Sequence, residues 1–420
     1  MPNEALVAVV NLGCRVNRVE ADLIAERLEG YGCAIAGEGE AQAIVVNTCA
    51  VTAEAEAKTR KTVRHCAQLP QAPLVVATGC VANLFSDEIR ALGPNVVVEP
   101  DKARVADLVA DSLGLGSCAG PDVRGDKPTP TGRTRPGVKV QDGCDNRCTY
   151  CIVWKARGAS RSVDAGEVLD RVRAACDRGA REVVLTGINL GCYNQQTAGG
   201  SLGLPELLRL ILERTNVGRL RLSSIEPPDV TPQLVRAMAD AGERVAPFLH
   251  VCLQSGCDDT LARMGRVYDT SLYRERIAMA RELLPGLSLG TDLIVGFPGE
   301  TDEEFSQSLA FSREMRFSKM HVFRYSKRPG TPAATMEEQV PPRVMAERGA
   351  AMRACADAMR TQAARELVGS EDLVVVQYPG RGVSGGLFDV LVDPSVPVDD
   401  LVRVRLASCD SRGVLSGVVL

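Results

Sequence analysis

Residues 141–158 read QDGCDNRCTYCIVWKARG, and three cysteines within them set the terms on which the rest of the chain is read. Cys144, Cys148 and Cys151 form the spacing C-x3-C-x2-C. Three thiolates on one short loop can ligate three irons of a 4Fe–4S cube and leave the fourth iron open to another ligand. Zinc would want four ligands, usually as two pairs, and no nearby histidine completes such a set. A structural metal knuckle is the bland alternative for the same three residues.

The loop follows an apolar run, Val138 to Gln141, and βα alternation continues beyond it for over 200 residues. Strands are expected at Glu182 to Leu185, Arg219 to Leu222, Leu249 to Leu253, Leu289 to Val295 and Met320 to Phe323. Helical periodicity places helices at Ala165 to Asp177, Leu204 to Glu213, Pro232 to Ala241, Ser271 to Leu283 and Glu303 to Glu314, with a long one from Pro342 to Leu367. Six βα units predict an incomplete (β/α) barrel, whose functional residues belong at the C-terminal ends of its strands.

Upstream, Leu6 to Val10, Ala43 to Val46, Leu74 to Ala77 and Val96 to Val98 are Val-rich and do not alternate, as parallel strands covered on both faces do not. Helices are expected between them, at Val19 to Glu29, Ala53 to Ala67 and Lys102 to Ser112, so the segment reads as an open parallel α/β sheet. Cys14, Cys49 and Cys80 each follow the C-terminal end of one of these strands, where open α/β sheets form their ligand crevice. Three convergent thiols there are candidates for a second iron–sulfur site with an open iron, although each alone could be a packed core residue. The other nine cysteines (33, 66, 118, 176, 192, 252, 257, 355 and 409) show no such pattern and read as packing residues.

The fold class is therefore α/β. An N-terminal open α/β domain is expected at 1–115, a Gly/Pro/Thr-rich linker at 116–136, the barrel at 137–367, and a small C-terminal all-β domain at 368–420 with short Val-rich runs and antiparallel strands.

Composition narrows the function. The chain has 420 residues with a net charge of −4, so it is no polycation that coats nucleic acid by bulk charge. Aromatic residues make up 4%, too few for a surface of many stacking rings. The odd count of 15 cysteines and the length of the chain argue against a small disulfide scaffold, and its three histidines leave little for His-based zinc catalysis. The opening residues lack a signal-peptide pattern and no apolar run approaches a membrane span, so a cytoplasmic location with no membrane partner is expected.

Both cysteine triplets, together with the runs GCRVNRVEAD, VNTCAVTAEAEAKTRKTVR, LTGINLG, SSIEP, LQSGCDDTLARMGR, TDLIVGFPGET and FRYSKRPGTPAA, give the chain its likeness. It resembles the methylthiotransferase family of radical S-adenosylmethionine enzymes along nearly its whole length, and the wording of the loops is most similar to the subgroup acting on threonylcarbamoyl-adenosine in tRNA. The resemblance implies two 4Fe–4S clusters and S-adenosylmethionine as cofactors. Cys144, Cys148 and Cys151 would hold the cluster that cleaves S-adenosylmethionine. Cys14, Cys49 and Cys80 would hold an auxiliary cluster that carries a sulfur to be methylated. A methylthio group then goes to C2 of the modified adenine beside the anticodon. No catalytic side chain is expected beyond cluster-bound cofactor and sulfur. The partners implied are tRNA, an electron donor such as flavodoxin or ferredoxin, and a sulfur source. The C-terminal domain is TRAM-like by the same resemblance.

Position and resemblance assign the cofactor contacts to Tyr150, Thr186, Gly187, Asn189, Ser224, Glu226, Gln254, Ser255 and Gly296, any of which could instead be a turn or cap residue. Arg157 and Arg161 could hold the cofactor carboxylate or RNA phosphate. Lys58, Arg60, Lys61 and Arg64 on one helix, and Arg324 with Lys327 and Arg328 after the sixth strand, could form a tRNA track or a solvated face. Two departures stand out. Trp154 replaces a proline common in the family, and residues 371–420 carry four Arg against seven Asp or Glu, an unfavourable balance for gripping phosphates. Other readings are a methylthiotransferase for isopentenyl-adenosine tRNA or for a ribosomal-protein aspartate, an iron–sulfur electron carrier or redox sensor, and, more weakly, a dinucleotide-binding dehydrogenase.

Overall fold

A computed structural model describes residues 4–50, 52–116 and 133–420. The expected linker, 116–136, lies mostly outside the described residues, as does Cys118. The chain divides into two compact units. One holds the residues up to the linker together with 143–145 and 151–159; the other holds 133–142, 146–150 and 160–420.

The first unit is a five-stranded parallel sheet: β1 (Ala5–Asn11), β2 (Cys33–Ile35), β3 (Ala43–Thr48), β4 (Leu74–Gly79) and β5 (Val96–Val98). Their order is β2-β1-β3-β4-β5. Helices α1 (Arg15–Gly30), α2 (Ala53–Ala67), α3 (Cys80–Leu84), α4 (Ser86–Arg90) and α5 (Val105–Ser112) connect them. The continuous apolar run of β3 is explained by two covered faces. Ile44 and Val46 pack with Val63 of α2, while Ala43 and Val45 pack with Ile24 and Leu28 of α1. The four strands expected from sequence are present; β2 was not expected, because a three-residue edge strand carries no period to read. Thr52 starts α2 by accepting the Ala55 N–H at 3.1 Å.

The second unit begins with the arc of parallel strands expected for the barrel. β6 (Gly137–Lys139), β9 (Glu182–Thr186) and β12 (Arg219–Leu222) pair in one sheet. β13 (Ser224–Ile225), β14 (Phe248–Val251), β15 (Ser288–Val295) and β16 (Lys319–Arg324) pair in the next. Only Ser223 separates β12 from β13, so the two sheets continue each other. Two short antiparallel pairs decorate the arc: β7 (Gln141–Asp142) with β8 (Arg161–Ser162), and β10 (Asn194–Thr197) with β11 (Gly200–Gly203). Outer helices include α7 (Ala165–Asp177), α8 (Leu204–Arg214), α9 (Pro232–Asp240), α11 (Thr270–Leu283) and α12 (Asp302–Met315). Leu249, Val251, Leu289 and Leu293 pack against Tyr273 and Ile277 of α11 and Phe311 of α12. The alternate residues of those strands therefore face the barrel interior.

The long helix α13 (Pro342–Glu366) leads into a closed five-stranded barrel of β17 (Glu371–Tyr378), β18 (Arg381–Ser384), β19 (Asp389–Leu391), β20 (Leu401–Cys409) and β21 (Leu415–Val419). The expectation of a purely antiparallel module is corrected at one place. β19 and β21 run parallel, because β20 comes between them in sequence but pairs on the far side of β21. The two parts of this unit are fastened at the N-terminal ends of the arc strands. Buried Glu182 binds Arg219 Nε at 2.5 Å and Arg221 Nε at 2.8 Å. The same guanidinium groups donate to carbonyls of the small barrel, Arg219 to Leu373 O and Arg221 to Gly385 O and Ser384 O.

Candidate active site

In the first unit, β1, β3 and β4 are adjacent and parallel, and each delivers one cysteine at its C-terminal end. Cys14 is the N-cap of α1, Cys49 follows Thr48, and Cys80 opens α3. Neighbouring parallel strands lie about 4.8 Å apart, so the three positions fall along one sheet edge within about 10 Å. The strand order 2-1-3-4-5 also puts Cys14 and Cys49 on either side of the point where the chain reverses its direction of winding, the ligand crevice of such sheets. Cys14 is exposed, whereas Cys49 and Cys80 are buried.

A polar cradle supports this edge. Buried Asn17 lies with its Oδ1 3.3 Å from Cys14 Sγ and donates to Thr48 O at 2.7 Å. Asn47 donates back to Asn17 O at 2.6 Å. Thr48 Oγ1 accepts the first N–H groups of α3, from Val81 at 3.1 Å and Ala82 at 3.0 Å, fixing the turn that carries Cys80. That turn needs Gly79, whose φ is +92°; a Cβ there would lie 2.5 Å from Thr48 O.

The second triplet sits on the loop after β6 and β7. Gly143 starts it at φ +72°, where a Cβ would fall 1.9 Å from Ala159 O. The Cys144 N–H donates to Gly158 O at 3.1 Å, and Cys151 Sγ accepts the Val153 N–H at 3.4 Å. These residues belong to the first unit, and Cys148 to the second. Cys148 is buried and accepts a hydrogen bond from Arg266 at 2.8 Å. Burial pushes its thiol up and Arg266 opposes the rise. Thr149 is pinned at both backbone atoms, its N–H donating to Met264 O at 3.0 Å and its carbonyl accepting from Ala333 at 2.9 Å.

The remaining candidates fall at the C-terminal ends of the arc strands. Thr186, buried, closes β9. Gly187 leads into a turn held by buried Gln141, whose Oε1 accepts the N–H groups of Ile188 and Asn189 at 2.9 Å each. Ser224 and Glu226 follow β12; Glu226 forms an ion pair with Arg266. Gln254 has φ +64° and bridges to Leu293, and buried Ser255 accepts the Cys257 N–H at 3.3 Å. Gly296, at φ +73°, has Met345 where a Cβ would stand. Tyr150 meets Phe297 edge-on with centroids 6.3 Å apart.

Several buried polar atoms at these strand ends have no hydrogen-bond partner: Asn189 Oδ1, Ser223 Oγ and Tyr325 Oη in the second unit, and Asn11 Oδ1 and Thr78 Oγ1 beside the cysteine edge of the first. Orphaned groups carry a desolvation cost that a bound polar molecule removes. The donor set therefore fits what was expected, with thiols for iron and unsatisfied oxygens for the amino, carboxylate and hydroxyl groups of a polar cofactor.

The Arg157 side chain is largely buried and binds Glu20 at 2.8 Å and Asn17 at 2.7 Å, so its guanidinium buttresses the Cys14 edge. The Arg60 charge is matched by Glu88 at 2.9 Å and Glu56 at 3.4 Å. Arg161 pairs with Asp142 at 2.8 Å. Lys58, Lys61, Arg64 and Arg324 are exposed. Trp154 lies on the short helix α6 (Val153–Arg157) beside Lys155.

Sequence reasoning missed Arg266, although it closes the run LQSGCDDTLARMGR, because nothing in one dimension pairs it with Cys148. It also missed Asp292, whose carboxylate is hydrogen-bonded to His321 Nδ1 at 3.0 Å and lies 3.1 Å from His250 Nε2, and it read Cys252, 3.8 Å from Asp292 Oδ2, as packing.

Comparison with known proteins agrees with this geometry. Residues 138–312 match the radical SAM superfamily, and residues 6–99 match a family described as uncharacterized protein family UPF0004. A Thermotoga maritima protein named threonylcarbamoyladenosine tRNA methylthiotransferase MtaB is 35% identical over 421 residues, spanning 98% of this chain and 96% of its own. An Erythrobacter litoralis protein named tRNA-2-methylthio-N(6)-dimethylallyladenosine synthase is 34% identical, with 98% and 96% covered. Among solved structures, the radical S-adenosylmethionine methyltransferase TsrM of Kitasatospora setae superposes with a TM-score of 0.58 at 17% identity, over 79% of this chain and 75% of that one, a likeness of fold.

Proposed function

The chain belongs to the radical S-adenosylmethionine methylthiotransferase family, and from that premise we propose that it transfers a methylthio group to C2 of N6-threonylcarbamoyladenosine beside the anticodon of tRNA. The substrate reading is supported by relatives carrying that activity in their names at 35% and 36% identity. The similar identity of the dimethylallyladenosine relative keeps isopentenyl-adenosine tRNA as a second reading.

The sulfur-transfer reading rests on one observation: three cysteines end three adjacent parallel strands. Cys14, Cys49 and Cys80 would hold an auxiliary 4Fe–4S cluster, and Cys144, Cys148 and Cys151 the cluster that binds S-adenosylmethionine. Reductive cleavage of that cofactor supplies the radical that an unactivated aromatic C–H bond requires. The protein's own residues do the holding. Arg266 neutralises charge at Cys148 and orients Glu226. Gln141 fixes the β9 loop so that the unsatisfied Asn189 Oδ1 can accept from the cofactor. Lys58 and Lys61 would meet tRNA phosphates. A one-electron donor of the flavodoxin or ferredoxin type and a sulfur source complete the reaction, in the cytoplasm; among the described residues no helix is long and apolar enough to cross a membrane.

The test is anaerobic reconstitution with iron and sulfide, then turnover on tRNA carrying either modified adenosine, read by mass spectrometry of the nucleosides. About eight irons in the wild type and about four in each triple-Ala variant are expected. The product should be the 2-methylthio derivative of threonylcarbamoyladenosine. About four irons, all lost with the Cys144, Cys148 and Cys151 variant, would remove the sulfur carrier. Product only from isopentenyl-adenosine tRNA would move the substrate to the second reading.

A further inference from the structure

Strands β14, β15 and β16 turn His250, Cys252, Asp292, His321 and Phe323 towards the barrel interior, since the alternate residues Leu249, Val251, Leu289, Leu293, Met320 and Val322 pack on the outer helices. A barrel wall is usually branched and apolar. Here both imidazoles converge on one oxygen, Asp292 Oδ1, at 3.1 Å from His250 Nε2 and 3.0 Å from His321 Nδ1. Burial would raise the Asp292 carboxyl, but the two histidines outweigh it and hold it below the usual carboxylate range. His321 Nδ1 is hydrogen-bonded to the carboxylate, whereas His250 Nε2 stands 3.1 Å from the same oxygen without hydrogen-bond geometry, so it is the His321 ring that the carboxylate orients.

The consequence falls on His321. With Nδ1 committed to Asp292, its Nε2 edge is the free end of the ring, and the side chain is half exposed. The His250 ring, 5.5 Å away by centroid, packs beside it. Phe323, two residues on along the same face, is 40% exposed and meets His321 edge-on at 6.5 Å. An oriented hydrogen-bonding edge next to an open aromatic ring can stack an unpaired base and read a polar group attached to it.

We propose that His321, positioned by Asp292 and His250, is the specificity-determining residue that hydrogen-bonds the polar N6 substituent of the substrate adenosine, with Phe323 against the base. This rests on the substrate reading above and deepens it. A threonylcarbamoyl group offers urea N–H and C=O groups, a hydroxyl and a carboxylate, whereas an isopentenyl group offers none and would leave the imidazole edge desolvated and unpaired. A site built to hydrogen-bond its substrate rejects an analogue that lacks the partner.

The experiment measures binding of short anticodon stem-loop RNAs, one carrying threonylcarbamoyladenosine and one isopentenyladenosine, to the full reconstituted chain by fluorescence anisotropy. Wild type, H321F and H321Q are compared, with iron content as the check on folding. Wild type should prefer the threonylcarbamoyl loop by about tenfold. H321F should bring the two loops within about twofold of each other by weakening only the threonylcarbamoyl loop, and H321Q, which keeps a hydrogen-bonding group, should restore part of the preference. A wild-type preference that survives in H321F, or an equal loss on both loops, overturns the role of His321 and leaves the substrate reading standing. A wild type that prefers the isopentenyl loop, or neither, overturns both.

Discussion

Gly143 shows how one residue can control the loop that carries a cysteine triplet. Its φ of +72° and the 1.9 Å approach of a Cβ to Ala159 O leave no room for any side chain. G143A should therefore displace the start of the Cys144 loop and, if the two triplets each hold a cluster as proposed, retain about four of about eight irons on reconstitution. Retention of the full complement would show that the loop adapts. Asp229 offers a titration. Burial and the nearby Glu226 raise its carboxyl to about 6. A raised acid binds its proton more tightly in the folded state, so its stabilising contribution is complete below the unfolded value near 3.8 and is lost as pH rises through about 6. D229N should remove that decline between pH 4 and pH 6 and be more stable than wild type at pH 8 by about 1 kcal/mol, read from urea midpoints.

Among the elements, α1 and α6 do more than fill space. α1 supplies Cys14 as its N-cap and, on later turns, the buried Asn17 and Glu20. α6 follows Cys151 and sends Arg157 to those two residues. R157A should remove one cation from buried Glu20, which also pairs with Lys102, and cost about 3 kcal/mol, as removal of one partner from a buried pair does. The urea midpoint would report it, and an unchanged midpoint would mean that the remaining partners of Glu20 suffice. Much of this level was legible in sequence. The strands and helices of both sheets were expected from periodicity and lie within a few residues of their places, since a buried strand or amphipathic helix writes its own pattern. The missed elements were short: β2, β8, β10, β11, β13, α3, α4, α6 and α10 (Asp258–Arg263) span too few residues to show a period.

For the whole molecule, the buried Glu182 network fastens the small β-barrel to the N-terminal ends of the arc strands, opposite the strand ends where the functional loops gather. Burial would raise the Glu182 carboxyl, but Arg221 and Arg219 prevail and hold it at about 2. Its contribution is present above the unfolded value of 4.5 and disappears as pH falls through about 2. E182Q should destabilise the protein by about 3–5 kcal/mol at neutral pH and free the C-terminal module for proteolysis. An intact chain after limited digestion would count against a latch. The net charge of −4 leaves RNA affinity to local patches. K58A/K61A should flatten the dependence of log affinity on log salt by about 1.5, the equivalent of two phosphate contacts, with no change in stability.

What the sequence determined by itself was the architecture and the placement of the thiols within it. Thiol spacing, strand-end position and the βα period are properties of the chain in one dimension, and they suffice to name the two triplets and the architecture around them. The tertiary structure decided the partners. That Arg266 meets Cys148 across 118 residues, that Arg157 binds Asn17 and Glu20, and that two histidines far apart in sequence face one aspartate oxygen are consequences of packing. Charges and imidazoles carry no period along the chain; which partner each one finds depends on which strand ends and helix faces the fold brings together.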